Sequence, residues 1–336
     1  MAIDPAAFER YRRLPNEKTT LPRLIAGAIV VAICWFAVTI AVVFAGTYGW
    51  VASGAEGALT FEDGPVLERF LTTAGGLLAT LATFGGIWLG IWIAMRALHK
   101  EKLKRLFGNS ARLSRSGFLN GFGAVLITSL LTELCYLLII PDVGRGPIGL
   151  GTWMLFLLPI LFLAFVQTSS EELLFRGYLQ RGLAYRFKSP LVWAVLPTLV
   201  FTALHWNPTS VLGMNIGVAV SIGAFAALLA LLVYATGNLG AAMGAHFGNN
   251  IVGFLLISHD DTLGGLALFR APPLDGLAWT ATETAVIAGI SIVSILLTWL
   301  LLLHPRSPFK VKPDLGDPPG TPVATGQGSM PDSPET

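Results

Sequence analysis

Uncharged apolar runs long enough to cross a bilayer recur along this chain, and they decide what it can fold into. No charged residue occurs from Leu24 to Ala55, and comparable runs return as far as Leu303. A hydrocarbon core about 30 Å thick is crossed by about 20 apolar residues in a helix rising 1.5 Å per residue. Within that core every backbone polar group must find its partner in the protein, so such runs become helices. Composition agrees: 54% of residues are hydrophobic and 12% charged, against about 25% charged in soluble domains. A mean hydropathy of +0.67 excludes an ordinary soluble class. The formal net charge of +2 gives no ground for a nucleic-acid partner. Cys34 and Cys135 both sit within apolar runs and read as packing residues, not as a disulfide or metal pair.

Taken in order, the runs predict an all-α, polytopic membrane helix bundle of about eight transmembrane helices. The expected spans are 25–45, 71–94, 118–140, one from Trp153 onward, one from Ser189-Pro190 to His205, then 212–235, 239–257 and 284–303. The fifth and seventh are the shortest and are interrupted by polar residues. Lys and Arg gather before span one, after span two (Arg96 to Arg115), after span four (Arg181, Arg186, Lys188) and after span eight (Arg306, Lys310, Lys312). The alternate connections carry Glu56, Glu62, Asp63 and Glu68, or Asp260, Asp261 and Asp275. That alternation places both termini in the cytoplasm by the positive-inside rule. The long polar lead before span one, with no small-residue cleavage site after it, does not read as a cleavable signal peptide. The expected organisation is a polar N-terminus at 1–23, two spans and a basic loop at 24–116, a core at 117–304, and a Pro-rich tail at 305–336. The tail has little to bury and is expected to be disordered.

Against this background the ionisable residues inside spans stand out. Glu171, Glu172 and Arg176 follow the apolar run that begins at Trp153. Each such charge is unfavourable in a membrane by about 2.5–3.5 kcal/mol on insertion scales, and such groups normally face a bundle interior or a wet cavity. Glu172 and Arg176 are four apart and share a helix face, so they can pair. Glu171 is turned about 100° from Glu172 and is expected to lack such a partner in its own helix. Phe201 and His205 close the fifth span. If spans four and five turn near Ser189, Glu171 and His205 lie at nearly equal depth, roughly 24–27 Å from the turn. In span seven His246 and Asn250 share one face, and the small residues from Gly240 to Gly248 allow a neighbouring helix to approach. A carboxylate can serve as general base toward water, and imidazole and amide N–H groups can donate to an oxyanion. Glu133, also within a span, has no evident partner, and His259-Asp260-Asp261 reads as a solvated outer loop. There is no His-Glu-x-x-His helix and no Gly-x-Ser-x-Gly elbow.

Glu171-Glu172-x-x-x-Arg176, Phe201-x-x-x-His205 and His246-x-x-x-Asn250, in this order, resemble the signature of the CPBP family. These are intramembrane glutamic proteases, the type II CAAX endopeptidase and bacteriocin-processing group. The resemblance covers about residues 150–260. It implies an eight-helix membrane fold with a protease core and a cavity open toward the cytosol. Glu171 with His205 would activate water, His246 with Asn250 would hold the oxyanion, and Glu172 and Arg176 would support the site. It implies a metal-free endopeptidase with no cofactor, acting on a peptide or protein substrate that is lipid-modified or membrane-associated. The implied setting is the bilayer of a bacterial plasma membrane. The other readings are a non-catalytic membrane scaffold or immunity-type binding protein, and a metal-dependent protease using the same residues, since two Glu and two His could hold zinc.

Overall fold

The computed structural model describes residues 3–54, 65–139, 141–260, 263–274 and 279–316. Its principal helices are α1 (Pro5–Arg12), α2 (Leu21–Ala52), α3 (Ala74–His99), α4 (Arg115–Ile139), α5 (Leu150–Arg186), α6 (Leu191–Ala203), α7 (Leu212–Thr236), α8 (Gly240–Leu255) and α9 (Ala281–Leu303), with short helical turns at Val66–Leu71 and Leu103–Leu106. Among the described residues six helices, α2, α3, α4, α5, α7 and α9, are long and apolar enough to cross a membrane. The fifth and seventh expected spans are shorter than the rest. Apolar α6 covers only 191–203 and α8 has 16 residues, so at 1.5 Å per residue they reach about 20 and 24 Å. The polypeptide is therefore an all-α polytopic bundle in which two of the eight expected helices fall short of a full crossing. Of the acidic connections, Glu56, Glu62, Asp63, Asp261 and Asp275 lie outside the described residues.

The bundle is inverted with respect to a soluble protein. In α5 the apolar Met154, Leu155, Leu158 and Phe162 are exposed, while the polar run from Gln167 to Glu172 is buried throughout. Apolar side chains facing outward suit lipid, and polar ones facing inward suit a site inside the bundle. The same helix widens into a π-helical stretch at Leu173–Gln180, directly after the two glutamates. Such stretches are frequent at functional sites.

Helix α8 lies closely along α4, and glycines permit it. A Cβ on Gly244 would come within 2.0 Å of Phe118 O, and one on Gly121 within 2.2 Å of Ala241 O. The small residues expected to admit a neighbour thus do so, and this contact fixes the helix that carries His246 and Asn250.

The basic ends meet on one face. Phe8 and Tyr11 of α1 are buried, Phe8 against Trp193 and Tyr234. The Tyr11 hydroxyl donates to Leu106 O. Burial pushes the Tyr11 phenol well above its ordinary range, with the Arg181 guanidinium opposing that shift, so it stays a donor. Residues 305–316, assigned to the tail by composition, pack here instead. Val311 is buried, and the Asp314 carboxylate accepts from Ser110 N, Ser110 Oγ and Asn238 Nδ2 at 2.8–3.1 Å. Those hydrogen bonds give the segment what its apolar content lacks. Residues 317–336, to which the expectation of disorder also applied, lie outside the described residues. On the opposite face three two-residue strands, β1 (Gly144–Arg145), β2 (Ile257–Ser258) and β3 (Phe269–Arg270), form a small sheet in the order β1-β3-β2.

Candidate active site between α5 and α8

Glu172 is the fixed point of the site. It is fully buried, and its Oε1 accepts from Arg176 Nη1 at 2.9 Å and from His246 Nδ1 at 2.8 Å. The i,i+4 pair expected from spacing is thus formed. Arg176, also buried, donates through Nη2 to Ala226 O at 3.0 Å and lies over the Phe201 ring at 4.8 Å. A buried charge pair holds only when its remaining donors are satisfied, and here α7 and α6 supply the partners.

Glu171 is 7% exposed and is bound differently. Its Oε1 accepts from Gln167 Nε2 at 2.7 Å. Glu171 has no oppositely charged partner in its own helix, but the neutral amide of Gln167, one turn earlier, shares its face and bonds to it. Gln167 carries no charge, so the spacing of ion pairs gives no sign of it. Glu171 Oε2 accepts no hydrogen bond from a described residue, and it stands 3.6 Å from His246 Nε2. Asn250 Nδ2 donates to Gln167 Oε1 at 2.9 Å, while its Oδ1 accepts from Asn249 Nδ2 at 3.1 Å. Glu171, Glu172, Arg176, His246 and Asn250 are therefore brought together.

The protonation pattern of His246 follows from its neighbours. Glu172 Oε1 already accepts a hydrogen bond from the Arg176 guanidinium, so it acts toward Nδ1 as an acceptor and Nδ1 carries a proton. Nε2 is then a donor only in the imidazolium form; in the neutral ring it is an acceptor facing Glu171. The ring is held edge-on between Phe201 and Phe225, with centroids 6.1 Å away on each side.

His205 is placed apart from the carboxylates. Helix α6 ends at Ala203, and the exposed His205 ring turns back so that Nδ1 meets Phe201 O at 2.8 Å. Among the described residues no hydrogen bond or ion pair joins it to Glu171. Equal depth assumed an unbroken helix; the chain leaves helical geometry before reaching residue 205. The ring nevertheless packs on Phe201 at 4.7 Å, the same residue that meets His246 and Arg176.

Two other readings change. Glu133 Oε2 lies 3.0 Å from His259 Nε2, so Glu133 has a partner, and His259 is paired to it instead of being simply solvated. Ser169, beside the carboxylates, accepts from Trp88 Nε1 at 3.2 Å. Among the described residues no group of three or more His, Cys, Asp and Glu side chains is arranged to hold a metal ion.

Residues 152–252 match the family model of Rce1-like type II CAAX prenyl endopeptidases. The uncharacterised protein YyaK of Bacillus subtilis (strain 168) is 24% identical over 209 residues, covering 60% of this chain and 70% of YyaK. No solved structure matches the chain. The matched segment contains every carboxylate, imidazole and amide described around Glu171. The chain is an integral, multi-pass membrane protein whose residues 152–252 are similar to Rce1-like type II CAAX prenyl endopeptidases.

Proposed function

We propose that this protein is an intramembrane glutamic endopeptidase in which Glu171 activates water for attack on a peptide carbonyl. The observation that carries the reading is the approach of two buried side chains, Glu171 Oε2 standing 3.6 Å from His246 Nε2, with the Asn250 amide joined to Glu171 through Gln167. Glu171 Oε2, an acceptor without a hydrogen-bond partner among the described residues that faces His246 Nε2, is where a water can direct its proton. As the water oxygen bonds to the carbonyl carbon, that proton passes to Glu171 and negative charge develops on the carbonyl oxygen. Asn250 Nδ2 and, in its imidazolium form, His246 Nε2 donate to that oxyanion. The tetrahedral adduct then expels the amine, which takes its proton from Glu171, so the base is restored. His205, at the open end of α6, assists by orienting the water or the incoming peptide. Glu172 and Arg176 hold His246 in place.

The match to type II CAAX prenyl endopeptidases makes a membrane-associated, lipid-modified peptide the first substrate class to try. The test compares membrane-protein C-termini in cells carrying the wild type with those carrying Glu171→Gln. New C-termini present only with the wild type support proteolysis. Identical termini, or a deletion phenotype rescued equally by both proteins, would indicate a scaffold or binding role instead. Addition of a chelator to the same comparison separates metal-dependent hydrolysis from the mechanism proposed.

A further inference from the structure

We propose that Gln167 is a positioning residue that couples the base to the oxyanion donor, an inference that rests on the reading of Glu171 and Asn250 just given. Gln167 is 7% exposed, and both polar atoms of its amide are bonded: Nε2 to Glu171 Oε1 at 2.7 Å, Oε1 to Asn250 Nδ2 at 2.9 Å. The direction of this chain is set chemically. Glu171 acts as base through an ionised carboxylate, whose oxygens carry no hydrogen, so the amide nitrogen of Gln167 must face it. The amide oxygen is thereby turned to Asn250, which must present its NH₂ group. Asn249 Nδ2 closes the sequence by donating to Asn250 Oδ1.

Two consequences follow for the site. First, Glu171 is held through one oxygen, and the other is left directed at the reacting water. Second, the Asn250 amide cannot rotate by 180° without breaking both of its bonds. A single Nδ2 hydrogen is used by Gln167, so the second remains for a substrate oxygen. With no donor at 167, the Glu171 side chain regains rotamers and the Asn250 amide can turn its oxygen toward the substrate, where it repels an oxyanion. A packing role alone would call for an apolar side chain here, because burying an amide is unfavourable unless both ends are bonded.

The test uses the full-length protein reconstituted in liposomes, with Gln167→Met as a replacement of similar length that cannot form these bonds. One readout needs no substrate: the infrared band of the Glu171 carboxyl, isolated as the difference between wild type and Glu171→Gln. The band is expected to move in Gln167→Met. An unmoved band would overturn the inference.

The second readout is cleavage of those membrane peptides whose processing depends on Glu171. Gln167→Met is expected to lower kcat by about 10- to 100-fold, as for misplacement of a reacting group, with KM changed by less than about threefold. Because both residues act through one donor, Gln167→Met combined with Asn250→Ala is expected to lose less than the product of the two single effects. A full product of effects, or wild-type kcat in Gln167→Met beside an inactive Glu171→Gln, would remove this inference alone. Wild-type activity in Glu171→Gln would remove the parent reading.

Discussion

His246 is bound more closely to Glu172 than to Glu171: Nδ1 is 2.8 Å from the first carboxylate, and Nε2 is 3.6 Å from the second. Two adjacent glutamates thereby take different parts. Glu172 Oε1 anchors the imidazole and the Arg176 guanidinium together, while Glu171 Oε1 takes the Gln167 amide. Oε2 of each accepts no hydrogen bond from a described residue, and that of Glu171 is the one facing His246 Nε2. Arg176→Met leaves Glu172 buried without its cation, and is expected to destabilise the protein by about 3–5 kcal/mol. Arg176→Met with Glu172→Gln should recover part of that loss. Denaturant unfolding in detergent checks both.

His205 separates folding from activity. Its ring is exposed and bonded only to the carbonyl of Phe201 among the described residues. His205→Ala is expected to leave stability within about 0.5 kcal/mol of wild type, as surface substitutions usually do. If His205 orients the water, cleavage should fall by about 10²-fold or more. Thermal unfolding and cleavage rate, measured on the same preparation, check the two halves.

The α4–α8 contact predicts a position-dependent glycine effect. Gly244 faces the Phe118 carbonyl, whereas an added Cβ at Gly253 meets nothing within 4 Å. Gly244→Ala is expected to destabilise by about 1–3 kcal/mol through overpacking and to move His246 with its helix. Gly253→Ala should be neutral or stabilising by up to about 1 kcal/mol, from lower chain entropy in the unfolded state. Unfolding curves of the two variants check the contrast.

Asp314 ties the C-terminal segment to the 108–114 loop and to the turn after α7, where Gly237 has φ +62° and a Cβ would come within 2.6 Å of Ala7 O. Asp314→Ala leaves Ser110 N and Asn238 Nδ2 without that acceptor. A loss of about 2 kcal/mol is expected, in keeping with hydrogen bonds to a charged group. Limited proteolysis should then cut within 305–316 much faster than in the wild type.

Much of this arrangement is legible in the sequence because lipid imposes a simple rule: long apolar runs become helices, and buried charges must pair. The Glu172–Arg176 pair follows from i,i+4 spacing, and the shared face of His246 and Asn250 follows likewise. Distance in sequence hides the rest. Glu133 and His259 are 126 residues apart, and nothing local links them. Gln167 looks like the polar end of an apolar run until the amide orientation is worked out. The end of α6 at Ala203, after which the His205 ring turns back to Phe201 O, has no periodic signature in the sequence. Residues 305–316 read as disorder by composition, since a segment held by a few hydrogen bonds carries no hydrophobic pattern.

The most direct measurement is the cleavage rate of a Glu171-dependent membrane peptide by purified, reconstituted wild type and Glu171→Gln, in water enriched in heavy oxygen. The account predicts one heavy oxygen in the new C-terminal carboxyl and a rate lower by about 10²–10⁴-fold in the variant, the usual contribution of a general base. A Glu171→Gln protein that cleaves within about twofold of the wild-type rate would contradict it.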